Sequence, residues 1–156
     1  FQIDDVEKCV VELREALGVG VRAMVDSMPM SAGRNVRKLA EVSRRSGVHV
    51  VAPTGLHLRK YYPPGHWCDR IGVEELAMLF AREITEGIDA NDAAGPTWVA
   101  TEHRAGVIKV AGSLDALSEH EQKCFIAAGL AHRVTGCPIL THCEEGTAAL
   151  EQVQLF

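Results

Sequence analysis

Lys109 stands inside "AGVIKVAGS", a short run of valine, isoleucine, alanine and glycine over residues 105–113. An amine among such neighbours costs desolvation energy unless its charge is paired, shed or put to chemical use. A second chemically capable residue, His142, lies near the end of a similar run, "CPILTHC". Each has an ordinary explanation. The lysine can reach solvent or a carboxylate at a strand end, and a lone histidine is most often a core residue with both ring nitrogens hydrogen-bonded. Together they carry more: on two neighbouring parallel strands, an amine and an imidazole at one edge make half of a metal site or a Schiff-base site. His57, in "TGLHL", follows a third apolar run and reads equally as a pocket-lining residue or a solvent-facing loop histidine. Tyr61, Tyr62, His66 and Trp67 either wall that pocket or pin their own loop. Asp26 reads as orienting a ligand or, more simply, as an acceptor that holds the turn after it. Cys143 should face away from any site that His142 enters, because adjacent strand residues point to opposite sides, and Glu144 and Glu145 fall in the loop that follows.

The elements that must position these residues are visible in the periodicity. "DDVEKCVVELREALG" places Val6, Val10, Leu13 and Leu17 at helical spacing before Gly18, and "GRNVRKLAEVSRRSG" places Val36, Leu39, Ala40 and Val42 on one face, with Asn35 near its start and Gly47 as a stop. "GVEELAMLFAREITEGI" is a third helix with Leu76, Leu79, Phe80 and Ile84 inward, and "SEHEQKCFIAAGLAHRVTG" a fourth. Between them lie four strands, "VRAMVDS", "VHVVAPTG", the Lys109 strand and "CPILTHC", each apolar almost throughout. Strands of that kind are covered on both faces, which means a parallel sheet with helical crossovers. "DANDAAGPTWVATEHR", with Gly95 and Pro96 in its middle, reads only as an irregular connection, and "TAALEQVQLF" as a helix without a stop. No glycine-rich phosphate loop follows any strand. Polar residues follow instead, and in barrels of alternating strand and helix the active site is built at the C-terminal ends of the strands. The expected fold class is therefore α/β; the pattern alone leaves a doubly wound sheet and a closed barrel open, and the polar strand ends favour part of a (β/α)8 barrel.

At 156 residues, 47% hydrophobic and with a formal net charge of −5, residues 1–156 form one domain with one sizeable core. Acidic balance and scattered basic residues argue against a nucleic-acid partner. No apolar run approaches the roughly 20 residues that span a bilayer, so a membrane partner is not expected and the cytoplasm is the default. Five cysteines without a CxxC spacing read as mostly reduced, buried small hydrophobes. The chain opens on Phe1 and reads as a piece of something longer.

"VSRRSGVHVVAPTGLHL", "GVEELAMLFAREITEGI", "AGVIKVAGS" and "GCPILTHC" together resemble, in order and spacing, successive blocks of the phosphotriesterase-like family of the amidohydrolase superfamily. The resemblance covers nearly the whole chain. It implies a (β/α)8 TIM barrel of which these residues supply roughly strands 2 to 5 with their helices. It also implies that Lys109 is carboxylated to a carbamate bridging two divalent metals, zinc first with manganese, cobalt or iron as alternatives, and that His142 binds one of them. A metal-bridging hydroxide would then attack a phosphotriester, lactone or carboxylic ester. His57 would line the substrate pocket where related enzymes carry an aromatic residue. The partners implied are a small-molecule ester and, at full length, a second copy in a dimer. The His-x-His pair of the family's first strand, a further histidine and a late aspartate do not occur in this sequence, so weak metal binding and no substantial hydrolysis are expected of this chain alone. Two other readings stay open: Lys109 as the Schiff-base nucleophile of a barrel aldolase or lyase, and a non-catalytic truncated barrel that acts through association.

Overall fold

The computed structural model describes residues 4–94 and 97–156. Helix α1 (Val6–Gly18) begins where the Asp5 carboxylate accepts from the Glu7 and Lys8 amides, satisfying donors that a helix start leaves bare. It includes Gly18, so the glycine is its last residue and Val19 caps it, one step later than the spacing suggests. After β1 (Ala23–Val25) comes α2 (Val36–Ser46), capped by Asn35 and stopped by Gly47 at φ 81°, a left-handed conformation open to glycine at no steric cost. β2 (His49–Val51) and β3 (Pro53–Gly55) precede α3 (Val73–Thr85). Then follow β4 (Val107–Gly112), α4 (Glu119–Thr135), β5 (Ile139–Cys143) and the short α5 (Ala149–Val153). α4 is entered through a Ser118–Glu121 capping box and left through Gly136 in the left-handed region.

All strand pairs are parallel and in chain order: β1 with β2, then β3 with β4 and β4 with β5. β2 and β3 are two halves of the single strand expected over 48–55. They part at Ala52 for a chemical reason. Pro53 has no N–H to extend the ladder with β1, the Ala52 carbonyl accepts from Gly106 of the next strand instead, and the Pro53 carbonyl is held by the Arg34 guanidinium at 2.8 Å. The four strand lines, each followed by a helix, form the partial barrel arc that the alternation predicts.

The main core lies between α3, α4 and one face of the sheet, where Leu76, Phe80, Ile108, Val110, Phe125 and Ala128 pack together. Burying each large side chain there contributes about 1.5–3 kcal/mol. Ile108 and Val110 point to this helical side, so Lys109 and Ala111 point to the other, the inside of the arc. α1 is amphipathic as its spacing suggests: Val10 is buried, Val6, Leu13 and Leu17 are half-buried, and the helix packs on α2. All five cysteines are free; Cys68, Cys124 and Cys137 are buried, while Cys9 and Cys143 are half-buried. The Gly95-Pro96 pair lies outside the described residues. Among the described residues no helix is long and apolar enough to cross a membrane.

Candidate functional site

Register alone brings the three singled-out residues together. Gly55 pairs with Lys109 and Lys109 with Leu140, while Ala111 pairs with His142. Paired residues in a sheet share a face and alternate residues repeat it, so Lys109, Ala111, Leu140 and His142 face the inside of the arc. His57 lies two residues past Gly55, level with Ala111 and His142. Its ring centroid is 6.0 Å from that of His142, with the small Ala111 on the strand between, and 4.4 Å from the Tyr61 ring, which meets it edge-on.

Lys109 is 5% exposed and has no carboxylate within ion-pairing distance among the described residues. Its Nζ donates to the Val110 carbonyl at 2.9 Å. Neither ordinary explanation of this lysine holds, since it neither reaches solvent nor meets a counter-charge. Burial pulls its ammonium down to about 8, against a small opposing effect of Cys143. A buried, easily neutralised amine is a nucleophile that retains its lone pair.

His142 is half-buried, and its Nε2 lies 2.7 Å from Oε2 of Glu144. A neutral imidazole that donates Nε2–H to this carboxylate carries its lone pair on Nδ1, the arrangement by which carboxylates orient metal-binding histidines. The other Glu144 oxygen takes Lys60 Nζ at 3.2 Å. Glu144, read in the sequence as a loop residue, is thus tied to the site. The only signal for it is its position two residues after His142.

His57 is fixed at its own backbone. Its Nδ1 accepts from the Leu58 amide at 2.8 Å, and its amide donates to the Tyr62 hydroxyl at 2.7 Å. The proton of the neutral ring therefore sits on Nε2. Burial first, then the charges of Lys109 and His142, pull its pKa down to about 4, so near neutral pH the ring is an uncharged N–H donor. Of the loop aromatics, Tyr61 edges His57, whereas Tyr62 is 4% exposed and its hydroxyl also donates to the Met30 carbonyl. Tyr62 pins the loop. Asp26 stays with its own turn, accepting from the Met28 amide, and the Cys143 thiol points to Gln152, on the side away from the site.

Comparison with known proteins gives a consistent picture. The model of the phosphotriesterase family matches residues 3–156. The chain is 37% identical over 146 residues to the phosphotriesterase homology protein of Escherichia coli K12, a match that covers 93% of this chain and 46% of that protein. To the phospho-furanose lactonase of Mycoplasmopsis synoviae it is 32% identical over 155 residues, covering 97% and 44%. The crystal structure of the Escherichia coli phosphotriesterase homology protein, complexed with phosphate in its active site, superposes with a TM-score of 0.87 at 34% identity, covering 99% of this chain and 49% of that one. The chain spans about half the length of these relatives.

Proposed function

Because the chain belongs to the phosphotriesterase family, we propose that it carries the Lys109–His142 sector of a metal-dependent hydrolase site for small ester substrates: phosphotriesters, lactones or carboxylic esters. The observation that carries this reading is Lys109, an amine buried inside the arc with no carboxylate beside it among the described residues and on the same face as His142.

The donor set fits metal only in part, and it fits in a specific way. The free amine of Lys109 can attack carbon dioxide: the nitrogen lone pair forms a C–N bond, one C=O π pair moves to oxygen, and a nitrogen proton leaves to water. The product is an anionic carbamate with two oxygens, which replaces a stranded cation with a ligand. His142 offers Nδ1, because Glu144 holds the opposite nitrogen. These two residues would hold divalent ions, zinc or alternatively manganese, cobalt or iron, whose charge polarises the bond under attack and acidifies water. The further ligands of a two-metal site are not among the described residues. His57 presents an uncharged Nε2–H beside His142 and serves to bind a substrate oxygen while adding no charge to the site. Leu140 and Ala111 keep the floor of the site apolar and narrow.

Carbon-13 NMR of the chain supplied with labelled bicarbonate and zinc tests this reading. A carbamate carbonyl resonance is expected, absent in Lys109→Met. No such signal at saturating bicarbonate and metal would sink the carbamate. An irreversible adduct on Lys109 after borohydride treatment with a carbonyl compound would move the assignment to the Schiff-base route.

A further inference from the structure

The geometry points to a second, separate cation site made by Cys68, Asp69 and His120, suited to zinc. The Cys68 sulfur, a carboxylate oxygen of Asp69 and a ring nitrogen of His120 all lie within 4.8 Å of one another. Ligands bound at about 2.0–2.3 Å around a tetrahedral ion sit roughly 3.5 Å apart, so the three need only about 1 Å of closure. Thiolate, imidazole and carboxylate together are a zinc-type donor set, softer than the oxygen-rich surroundings that magnesium or calcium prefers.

The state of His120 supplies an independent observation. Its Nε2 lies 3.3 Å from the His57 carbonyl, an acceptor only, which places the ring proton on Nε2. Nδ1 is then left with its lone pair, and that atom is buried without a hydrogen-bond partner among the described residues. An orphaned buried acceptor on a histidine whose other nitrogen is held by a backbone carbonyl is the usual outer arrangement of a metal-binding imidazole. Cys124 Sγ lies 3.6 Å from Nε2, on the side of the ring away from Nδ1, so water is the candidate for the fourth position.

The surrounding charge is compatible. Asp69 is paired through both oxygens with Arg59, but a carboxylate has about four lone-pair directions and can accept from a guanidinium and a metal together. Lys123 is spent on the carbonyls of Cys68 and Ile71. On binding, the Cys68 S–H proton leaves to solvent as the sulfur–metal bond forms. Such an ion would tie the loop turn at Trp67–Asp69 to the first turn of α4 and, through His120 and the His57 carbonyl, steady the residue that faces His142.

This site shares no ligand with the Lys109 sector and is the one with sulfur, so its test is independent. The metal-free chain titrated with cobalt(II) is expected to develop a thiolate-to-cobalt charge-transfer band at one equivalent. That band is lost in Cys68→Ser and in His120→Ala but retained in Lys109→Met/His142→Ala. X-ray absorption at the zinc edge of the wild-type chain loaded with one equivalent needs no variant, and it is expected to show one sulfur neighbour. Absence of the cobalt band, its persistence in Cys68→Ser, or a zinc shell of nitrogen and oxygen alone would each overturn the site.

Discussion

At the scale of single residues, the site is governed by how burial treats charge. His57 shows the sign of the effect. Its folded-state pKa, about 4, lies below the ordinary 6.5, with burial as the first cause and the charge of Lys109 as the second. The unfolded chain therefore takes up a proton on this ring that the folded chain refuses. Stability is unaffected by His57 above the ordinary value and declines as pH falls from there toward 4. In the metal-free chain the His57 imidazole should titrate by NMR with a midpoint near 4; a midpoint near 6.5 would show that the ring is solvated and not facing Lys109. Arg34 and Glu83 pose the opposite case, two charges buried at 1% and 0% side-chain exposure and joined by two hydrogen bonds of 2.6 and 2.7 Å. Glu83→Ala leaves the guanidinium with Asp92 as its remaining anion and is expected to cost about 3–5 kcal/mol. Urea denaturation reads this directly, and a loss below about 1 kcal/mol would refute the buried pair. Lys109 and His142 were legible in the sequence because each interrupts an apolar run. Arg34 and Glu83, 49 residues apart, each look like ordinary surface charges in their own helical stretch, and only folding brings them together.

At the scale of elements, legibility followed the hydrophobic period. Four helices and four strand lines could be read because each carries its own apolar stripe or run in the sequence, and the caps at Asn35, Gly47, Ser118 and Gly136 are local chemistry. The split of the 48–55 strand was not legible, since it depends on which neighbour each half meets. Arg34, anchored by Glu83, grips the Pro53 carbonyl where the two halves part, so the buried pair sets the bend that aims β3 at β4. Gly55 finishes that strand at φ +107°, with its Cα so close to β4 that an added Cβ would lie 1.9 Å from the Lys109 carbonyl oxygen. Gly55→Ala therefore adds about 1–3 kcal/mol of backbone strain and a clash with the strand backbone that carries the site lysine. We expect a clear loss of urea stability together with loss of the carbamate signal. A variant within about 1 kcal/mol of wild type that keeps that signal would show that the β3–β4 contact does not set the position of Lys109.

At the scale of the whole molecule, the arc is half of what its relatives possess. The structural match covers nearly all of this chain and 49% of the Escherichia coli protein, and the strands at its two ends, β1 and β5, each pair on one side only among the described residues. Every residue of β1 is exposed, Met24 and Val25 among them, and further exposed apolar residues include Val134, Leu150, Val153 and Phe156. A parallel strand built of apolar residues is made for cover on both faces, and an open edge offers unpaired N–H and C=O groups to any similar strand. Both features favour association of this chain on its own. Light scattering coupled to size exclusion should give a mass well above the 16.9 kDa of one chain, and ester hydrolysis by that material should be weak, because on the proposed reading Lys109 and His142 supply only part of the metal ligands the site needs. A monodisperse monomer with sustained turnover that is lost in Lys109→Met would mean that four strands suffice to close a working site. The sheet edges would then have to be protected by something other than the missing half of a barrel.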